Sequence, residues 1–350
     1  MLKYRRAHTP EQNTLEPLLE RERLFREEFS HGLMREMRQF MEETLTRERL
    51  FREEFSHGLM REMRTDIDER IRWHMTHTIA QPYPDDGALY IHTNDGHRFF
   101  LDARETFISL HVMEHGEWEK PVRDVMRRIL KSGGVFVDVG ANIGLHTVFA
   151  AMLVGASGTV YAVEPHPRTF GFLCRNIDIN GMQGYVQAKC LAVSDAPAQS
   201  IEFEYFPQHP AMSGFSLPQF RLDAHHGTPE KIMVQTTTID TLLAPTYHAD
   251  LIKIDVEGFE RIVLQGASQT IAHNQDACFI IEFDHKLITS TLGEQAVAEL
   301  IDIFKNAGYV AYVITHDKGL QPLSYDIHNT AQGDVLYIHP TSRHYSSVKA

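Results

Sequence analysis

The sequence predicts an α/β fold: a doubly wound sheet of seven strands preceded by an N-terminal α-helical extension. Three observations support this prediction. From residue 135 onwards, short β-branched runs alternate with segments whose apolar residues recur at helical spacing. The first of these runs enters a glycine turn and then a helix, which is the opening unit of a doubly wound sheet. The first 80 residues are instead rich in Arg, Glu, Leu and Met, which favour helices.

The composition is that of a globular protein and narrows the class of partner. The 350 residues include 34 Lys and Arg against 47 Asp and Glu, a formal net charge of −13, which disfavours binding along a nucleic-acid backbone. No apolar run approaches the roughly 20 residues of a membrane helix, and the N-terminus lacks the apolar core of a secretory signal. The three cysteines indicate free thiols in a reducing compartment. We therefore expect a cytoplasmic protein without a transmembrane segment.

The helical extension, residues 1–80, contains a duplication. The segment RERLFREEFSHGLMREMR occupies residues 21–38 and again residues 47–64, a period of 26. Its apolar residues recur every four positions and form one stripe on a helix. On one straight helix the second stripe would be rotated by about 80° from the first, which favours a helical hairpin or a kinked helix over a coiled coil. We expect the extension to mediate association, most simply into a homo-oligomer; packing on the rest of the chain is the alternative.

Turn signals divide the rest of the chain into a linker, β-hairpin and lead-in helix at 81–132, the α/β domain at 133–340 and a C-terminal tail at 341–350. Within the first segment, strands at 88–93 and 97–102 flank a turn in which Gly96 supplies the positive φ of a tight hairpin. Helical spacing of apolar residues predicts the lead-in helix over 117–131.

The strongest feature of the α/β domain is its first strand and the turn that follows it. Residues 135–139 are typical of a strand buried on both faces, with Asp138 near its end. A G-x-N-x-G turn at 140–144 then leads into a helix predicted over 145–154. This spacing differs from the G-x-G-x-x-G of a dinucleotide site and suits a neutral or zwitterionic ligand, such as the amino-acid end of S-adenosylmethionine (SAM). The candidate cofactor-binding residues here are Asp138, Gly140, Asn142 and Gly144.

The second and third strands also end in acidic residues. The second strand, 159–163, is followed by Glu164, whose carboxylate is placed to accept hydrogen bonds from both ribose hydroxyls of a nucleoside. The third strand, predicted over 185–193, is followed by Asp195. This carboxylate either meets an adenine amino group or caps the next turn, and the sequence leaves both open.

The fourth strand, 250–254, is followed at once by Asp255, Glu257 and Glu260. Burying carboxylates at the end of a buried strand costs free energy unless they have partners, so their presence there indicates a functional role. Asp255 and Glu257 could hold a divalent cation, orient an acceptor hydroxyl or face a sulfonium. The alternative is that these are acids favoured by the dipole of a following helix.

The fifth strand, 278–283, suggests a general base. It is followed by Asp284 and His285, and acidic neighbours could orient the imidazole of His285. A solvent-exposed histidine at the rim of the sheet is the alternative. Two more strands, at 310–314 and 335–338, complete the count of seven.

Three motifs in this order resemble the FkbM-type SAM-dependent methyltransferases: FVDVGANIGLHT (136–147), VEPHP (163–167) and KIDVEGFE (253–260). HGEWE (115–119) and HPAMSGFSL (209–217) also look like that family's lead-in helix and acceptor-side loop. The resemblance covers roughly residues 85–340. It implies a class I methyltransferase (Rossmann-like) fold whose last strand is antiparallel, and O-methylation of a hydroxyl on a small molecule or glycan. Under it, Gly140, Asn142, Gly144 and Glu164 would hold SAM, and Asp255 and Glu257 would face the reaction centre.

Two rival functions are compatible with parts of the pattern. A nucleotide-binding oxidoreductase could use Glu164 on an NAD ribose, although the missing G-x-G-x-x-G and the acids after the fourth strand disfavour it. A non-catalytic scaffold could work through its N-terminal helices, although the intact glycines and carboxylates disfavour a decayed site.

Overall fold

The computed structural model describes residues 81–82, 88–102, 105, 108–206, 213–215, 229–325 and 333–349. The chain divides into two units, Met1–Trp73 and His74–Ala350, and every described residue lies in the second. The duplicated segment and the predicted helical extension lie outside the described residues, as does most of the predicted acceptor-side loop. Their structure and the predicted association therefore stay predictions.

The first described elements form a small antiparallel sheet. It contains β1 (Gln81–Pro82), β2 (Ala88–His92) and β3 (Arg98–Asp102) in that order. The predicted hairpin is confirmed, and Gly96 in its turn has φ +80°. A conformation with positive φ is cheap only for glycine, which explains the turn residue.

Two helices follow, one of which the sequence did not reveal. Helix α1 (Ile108–His115) buries Ile108 and Val112, too few apolar positions to show a helical period in the sequence. Helix α2 (Lys120–Ile129) is the predicted lead-in helix and is shorter than expected, because Leu130 already has an extended conformation.

The remaining strands, in chain order, are β4 (Val135–Val139), β5 (Thr159–Val163), β6 (Val186–Lys189), β7 (Ala192–Val193), β8 (Ser200–Tyr205), β9 (Glu230–Thr237), β10 (Leu251–Ile254), β11 (Cys278–Phe283), β12 (Val310–Thr315), β13 (Gly319–Leu323) and β14 (Gly333–Ile338). The remaining helices are α3 (Leu145–Val154), α4 (Pro167–Ile179), α5 (Ile239–Leu243), α6 (Glu260–Gln265), α7 (Ser268–His273), α8 (His285–Leu292), α9 (Gln295–Asn306) and α10 (Tyr345–Lys349). In the described part of the chain, no helix combines the length and the apolar character needed to cross a membrane.

The central sheet has the order β13-β12-β14-β11-β10-β4-β5-β6. Strands β4, β5, β6, β10 and β11 are parallel, and β14 is antiparallel to β11, as the resemblance implied. The predicted α/β, doubly wound arrangement is confirmed. An eighth strand, β13, extends the predicted seven; it pairs with β12 at the edge of the sheet, where its Pro322 is tolerated.

The prediction of one continuous third strand over 185–193 is wrong in its second half. Residues Val186–Lys189 pair with β5, but β7, two residues further on, pairs with β9 in a separate sheet of order β7-β9-β8. Each half contains a buried valine, Val186 in β6 and Val193 in β7, so hydropathy alone could not reveal the change of partner. The chain leaves the central sheet at this point and carries Asp195 away from its carboxyl edge.

The residues after 340 were predicted to be a tail, and they instead form a structured end. Helix α10 packs on α2, where Nη1 of Arg128 donates to the carbonyl oxygen of Val348 at 3.1 Å. The buried carboxylate of Asp250 accepts from Arg343 and lies 2.9 Å from Nε2 of His344. These contacts fix the C-terminus at the edge of the sheet opposite the site described below.

Apolar residues cover both faces of the central sheet. Phe136 belongs to the cluster with α2, α3 and α4, whereas Val137 belongs to the cluster with α5 to α9, as expected from the alternation of side chains along a strand. The parallel register sets Ile254 of β10 beside Val139 of β4 and Ile281 of β11. The residues that follow these positions therefore meet at one edge.

Candidate functional site

A cavity of about 720 Å³ opens at the carboxyl edge of β4, β5, β10 and β11. It lies where the strand order reverses between β4 and β10, the place at which doubly wound sheets bind ligands. One wall comes from α1 and the segment up to Lys120, and another includes Phe203 and Phe215. The predicted site residues among its lining are Asp138, Gly140, Asn142, Glu164, Asp255 and Glu257.

The glycines of the turn after β4 serve close packing. A Cβ atom at Gly140, which has φ +80°, would lie 1.9 Å from the carbonyl oxygen of Asp255. Gly140 therefore lets the ends of β4 and β10 approach each other. A Cβ atom at Gly144, which has φ +92°, would lie 2.6 Å from Cδ1 of Leu173 on α4. Gly144 does not line the cavity, so its contribution to a ligand site runs through the placement of α3.

Glu164 is held by the turn that it faces. Its side chain is buried, and its two oxygens accept from the amides of Asn142 (3.1 Å) and His166 (2.9 Å). Burial raises the pKa of Glu164 to about 7, although the two amide hydrogen bonds work in the opposite direction. A carboxylate oriented in this way in a cavity wall is suited to receive hydroxyl donors.

Asp138 is the second buried carboxylate of the cavity. It is 1% exposed, and the hydroxyl of Thr147 donates to its Oδ2 at 2.6 Å. Burial raises its pKa, and Lys253, the residue directly opposite it on β10, acts in the opposite direction. Asp138 thus offers one oxygen that Thr147 does not hold.

Lys253 is a buried residue of the cavity lining that was not predicted as part of the site. Its side chain is 3% exposed, and its Nζ donates to Oδ2 of Asp255 at 2.6 Å. Burial lowers its pKa, but Asp255, Glu119 and Asp334 outweigh this and hold the pKa well above its usual value. Burial raises the pKa of Asp255, but Lys253 and a hydrogen bond with Glu282 together outweigh it, so the pKa of that carboxyl is lowered. Lys253 therefore stays charged and neutralises part of an acidic cavity floor.

A cluster of three carboxylates lies at the same edge. Ligand atoms of Asp255, Glu257 and Glu282 lie within 4.8 Å of one another, in an arrangement that could hold a metal ion. The charge of Asp255, together with burial, raises the pKa of Glu282 well above its usual value. Glu282 lies on β11, beside the end of β10 in the register. It was not predicted as a site residue because it lies within a strand, whereas the predicted acids follow the ends of strands.

A histidine and a glutamate pair across the cavity wall. Nε2 of His146, in the first turn of α3, lies 2.8 Å from Oε2 of Glu119, the residue that precedes α2. Glu119 has φ 42° and ψ 56°, a left-handed conformation that costs a non-glycine residue about 1–3 kcal/mol. Neither residue was predicted, because one lies in a short turn and the other inside an apolar helix.

Two predicted residues do not join the cavity. His285 begins α8 immediately after β11, where Asp284 accepts from the amide of Leu287 (2.9 Å), and His285 is not among the described residues of the cavity lining. Its proposed role as general base therefore has no geometric support. Asp195 faces a separate groove beside Arg261 and Glu299, because the chain has left the central sheet at β7.

The comparisons with known proteins agree with this arrangement. A family model described as the methyltransferase FkbM domain matches residues 138–311. The 31-O-demethyl-FK506 methyltransferase FkbM of Streptomyces tacrolimicus is 30% identical over 204 residues, which cover 51% of this chain and 72% of that protein. The chain belongs to the FkbM methyltransferase family. The methyltransferase sdnD of Sordaria araneosa is 27% identical over 165 residues, which cover 40% of this chain and 62% of sdnD.

Solved structures resemble the chain only loosely. A SAM-dependent O-methyltransferase from Thermotoga maritima is 14% identical, with a TM-score of 0.37, and the match covers 71% of this chain and 77% of that protein. This likeness adds nothing to the family assignment. The FkbM match begins at Asp138 and ends at Ala311, so it includes Glu164, Lys253 and Glu282 but excludes α1, Glu119 and α2. One wall of the cavity thus lies outside the matched region.

Proposed function

We propose that this FkbM family member transfers a methyl group from SAM to a hydroxyl of a small molecule or glycan. The observation that carries the proposal is the position of Glu164: a buried carboxylate, fixed by two amides, in the wall of a cavity at the switch point of the sheet. The relative from Streptomyces tacrolimicus is named as a 31-O-demethyl-FK506 methyltransferase, which supports the choice of a hydroxyl as acceptor.

The described residues fit the donor. Glu164 would accept from the ribose hydroxyls, and the free oxygen of Asp138 would accept from the donor's ammonium group. The acidic cavity floor suits a ligand with a sulfonium, because the surrounding carboxylates outnumber the one buried lysine. When bound, SAM supplies the methyl group that is transferred.

The acceptor side lies around Asp255. Methyl transfer to a hydroxyl needs alignment of the acceptor oxygen and a group that takes its proton. Asp255 is ionised and oriented by Lys253, and Glu257 and Glu282 lie beside it. Asp255 and Glu257 would orient the hydroxyl and accept its proton directly, or the three groups would act as ligands of a divalent cation with oxygen preference such as Mg²⁺. Activity that is lost in EDTA and restored by magnesium would support the metal role, whereas full activity in EDTA would remove it.

The experiment that tests the function is transfer of label from methyl-labelled SAM to a cell extract, followed by identification of the labelled product. Calorimetry with S-adenosylhomocysteine (SAH) and, as control, NAD tests the ligand class. SAH binding without NAD binding supports the proposal. NAD binding without SAH binding would instead favour an oxidoreductase.

Glu164→Gln is expected to lower SAH affinity roughly 10- to 100-fold, the scale of a lost hydrogen bond to a charged group. The native affinity should also depend on pH. With a pKa of about 7, Glu164 is mostly protonated at pH 6 and mostly ionised at pH 8, so SAH should bind roughly tenfold more tightly at pH 8.

Calorimetry at pH 6, 7 and 8 measures both effects. The part of the pH dependence that belongs to Glu164 should disappear in Glu164→Gln. An unchanged pH profile in that variant would show that the ribose is bound elsewhere.

We also propose that residues 1–80 mediate self-association without taking part in chemistry. The support is the duplicated apolar stripe, which is too large to leave uncovered on one helix. A chain that begins at Gln81 should keep SAH affinity within about twofold and show a lower oligomeric mass by light scattering. An unchanged oligomeric mass would contradict this proposal.

A further inference from the structure

One face of helix α1 lines the cavity of the candidate site. Ile108, His111 and His115 are three and four residues apart, so they share a face, and all three belong to the cavity lining. The other face carries Ser109 and Val112, which are both buried. The helix therefore packs on the rest of the chain through one side and presents two histidines to the cavity through the other.

The two histidines form an aromatic surface together with Trp118, and we call these three residues the α1 wall. The ring centroids of His111 and His115 lie 4.3 Å apart with an interplanar angle of 22°, which is a stacked arrangement. The ring of Trp118 is nearly perpendicular to that of His111, at 5.1 Å and 87°. Both histidines are exposed and line the cavity, so their rings are accessible to a ligand.

The β2–β3 hairpin holds the α1 wall in place. The amide of Asn94 donates to the carbonyl oxygen of Gly116 (2.8 Å), and its Nδ2 donates to the carbonyl oxygen of His115 (2.7 Å). Gly116 has φ +69°, and a Cβ atom there would overlap the side chain of Asn94, so only glycine permits this contact. Nδ1 of His115 lies 3.1 Å from the carbonyl oxygen of His111. A surface fixed in this way loses little conformational entropy when a ligand binds.

Polar groups surround the aromatic rings. Glu117 and Lys120 lie next to Trp118 in the chain and line the cavity, as do Glu257 and His316 at the carboxyl edge of the sheet. His316 reaches this edge because β12, which it follows, and β11 are both antiparallel to β14 and so run in the same direction. The described lining thus combines aromatic faces with several hydrogen-bonding groups.

This combination indicates the chemical class of the ligand. A purely apolar acceptor would pack on the rings but would leave the surrounding polar groups without partners, which costs free energy. A sugar ring meets both requirements. Its C–H groups form an apolar face that packs on an aromatic ring, and its hydroxyls lie around the ring edge, where carboxylates accept from them and imidazole or ammonium groups bind them.

We propose that the α1 wall binds a carbohydrate ring of the methyl acceptor, an inference that rests on the proposed function and narrows its acceptor to a sugar. The sugar packs its C–H face on His111 and His115, and Trp118 fixes the ring of His111. The wall selects the acceptor and does not hold the donor. The residues proposed for the donor, Asp138 and Glu164, lie within the region matched by the FkbM family model, whereas the whole α1 wall precedes that region.

The first experiment tests the class of acceptor. A cell extract is incubated with methyl-labelled SAM and the full-length protein, the product is hydrolysed in acid, and mass spectrometry compares it with O-methylated monosaccharide standards. We expect the label on a monosaccharide. Label on a product without a sugar would overturn the inference and leave methyl transfer to a hydroxyl in place. The absence of any labelled product would contradict the proposed function itself, and the inference with it.

The second experiment tests the residues, with the methyl glycoside of the labelled sugar as acceptor in steady-state kinetics. His111→Ala should raise the KM for the glycoside roughly 5- to 20-fold, the scale of one lost aromatic contact. Its kcat and SAH affinity should stay within about twofold, because the wall binds the acceptor without taking part in transfer. His111→Phe keeps an aromatic face and should recover most of the loss. His115→Ala should raise the KM in the same way as His111→Ala.

His273 offers a matched control. It is also an exposed helical histidine whose Nδ1 lies 2.8 Å from the carbonyl oxygen four residues earlier, that of Gln269, and it stacks on Tyr247. It is not among the described residues of the cavity lining, so His273→Ala should change neither KM nor SAH affinity. An unchanged KM in both His111→Ala and His115→Ala would overturn the inference. A fall in SAH affinity as large as the rise in KM would also overturn it, because the wall would then hold the donor.

Discussion

Gly140→Ala is expected to destabilise the protein severely and to abolish SAH binding. An added Cβ atom would lie 1.9 Å from the carbonyl oxygen of Asp255, and neither atom can move without separating the ends of β4 and β10. The positive φ of Gly140 adds a further cost of about 1–2 kcal/mol. We expect a total loss above about 3 kcal/mol, at the upper end of single substitutions.

Gly96 offers a matched control for this prediction. It has the same φ of +80°, but a Cβ atom there would meet nothing within 4 Å. Gly96→Ala should therefore show only the conformational cost of about 1–2 kcal/mol and keep SAH affinity. Thermal unfolding followed by circular dichroism, with SAH calorimetry, compares the two variants. Equal loss of stability in both would show that backbone conformation, and not the approach of β10, explains the glycine.

The sequence predicts those parts of the site that follow directly from a strand. Gly140 and Glu164 each come after a short buried run, and parallel strands place such residues at one edge. The same reasoning predicts Asp255, which follows β10. The FkbM resemblance rests on these segments, and the family match confirms it.

The rest of the site depends on contacts that periodicity does not encode. Glu282 is a strand residue whose neighbour across the sheet is Asp334 of β14, a pairing decided by sheet order. Glu119 reaches His146 from a separate segment 27 positions earlier in the chain, through a left-handed turn that local propensity disfavours. Asp195 was misplaced for a related reason, because the switch of β7 to a different sheet is a tertiary event.

Lys253→Met is expected to cost about 3–5 kcal/mol of unfolding free energy, although the side chains have similar size. Removing one partner of a buried ion pair leaves the other charge uncompensated. Here the uncompensated groups are Asp255, 2.6 Å from Nζ, and the nearby Glu119 and Asp138. Turnover should also fall steeply, because Asp255 loses the group that orients it.

The loss of stability in Lys253→Met should be smaller in acid than at neutral pH. Lys253 lowers the pKa of Asp255, so the stabilisation from this pair is present above the ordinary aspartate pKa and is lost as the pH falls through the lowered value. The difference in stability between the native protein and Lys253→Met should therefore be complete at pH 7 and shrink in acid. Thermal unfolding at pH 7 and at about pH 3, which lies below the ordinary aspartate pKa, measures this difference.

Lys120 provides the control for burial, and Asp255→Asn provides the control for the pair. Lys120 forms an ion pair with Asp124 at the same N–O distance of 2.6 Å, but both side chains are largely exposed, at 58% and 44%. Lys120→Met should lower the free energy of unfolding by less than about 1 kcal/mol, as is usual for surface pairs.

In the Lys253→Met/Asp255→Asn double variant, part of the lost stability should return because one uncompensated charge is gone, while turnover should stay low. If the double variant is as unstable as the sum of the two single variants, the two residues do not interact energetically, and Lys253 serves the packing of β10 instead of the charge of Asp255.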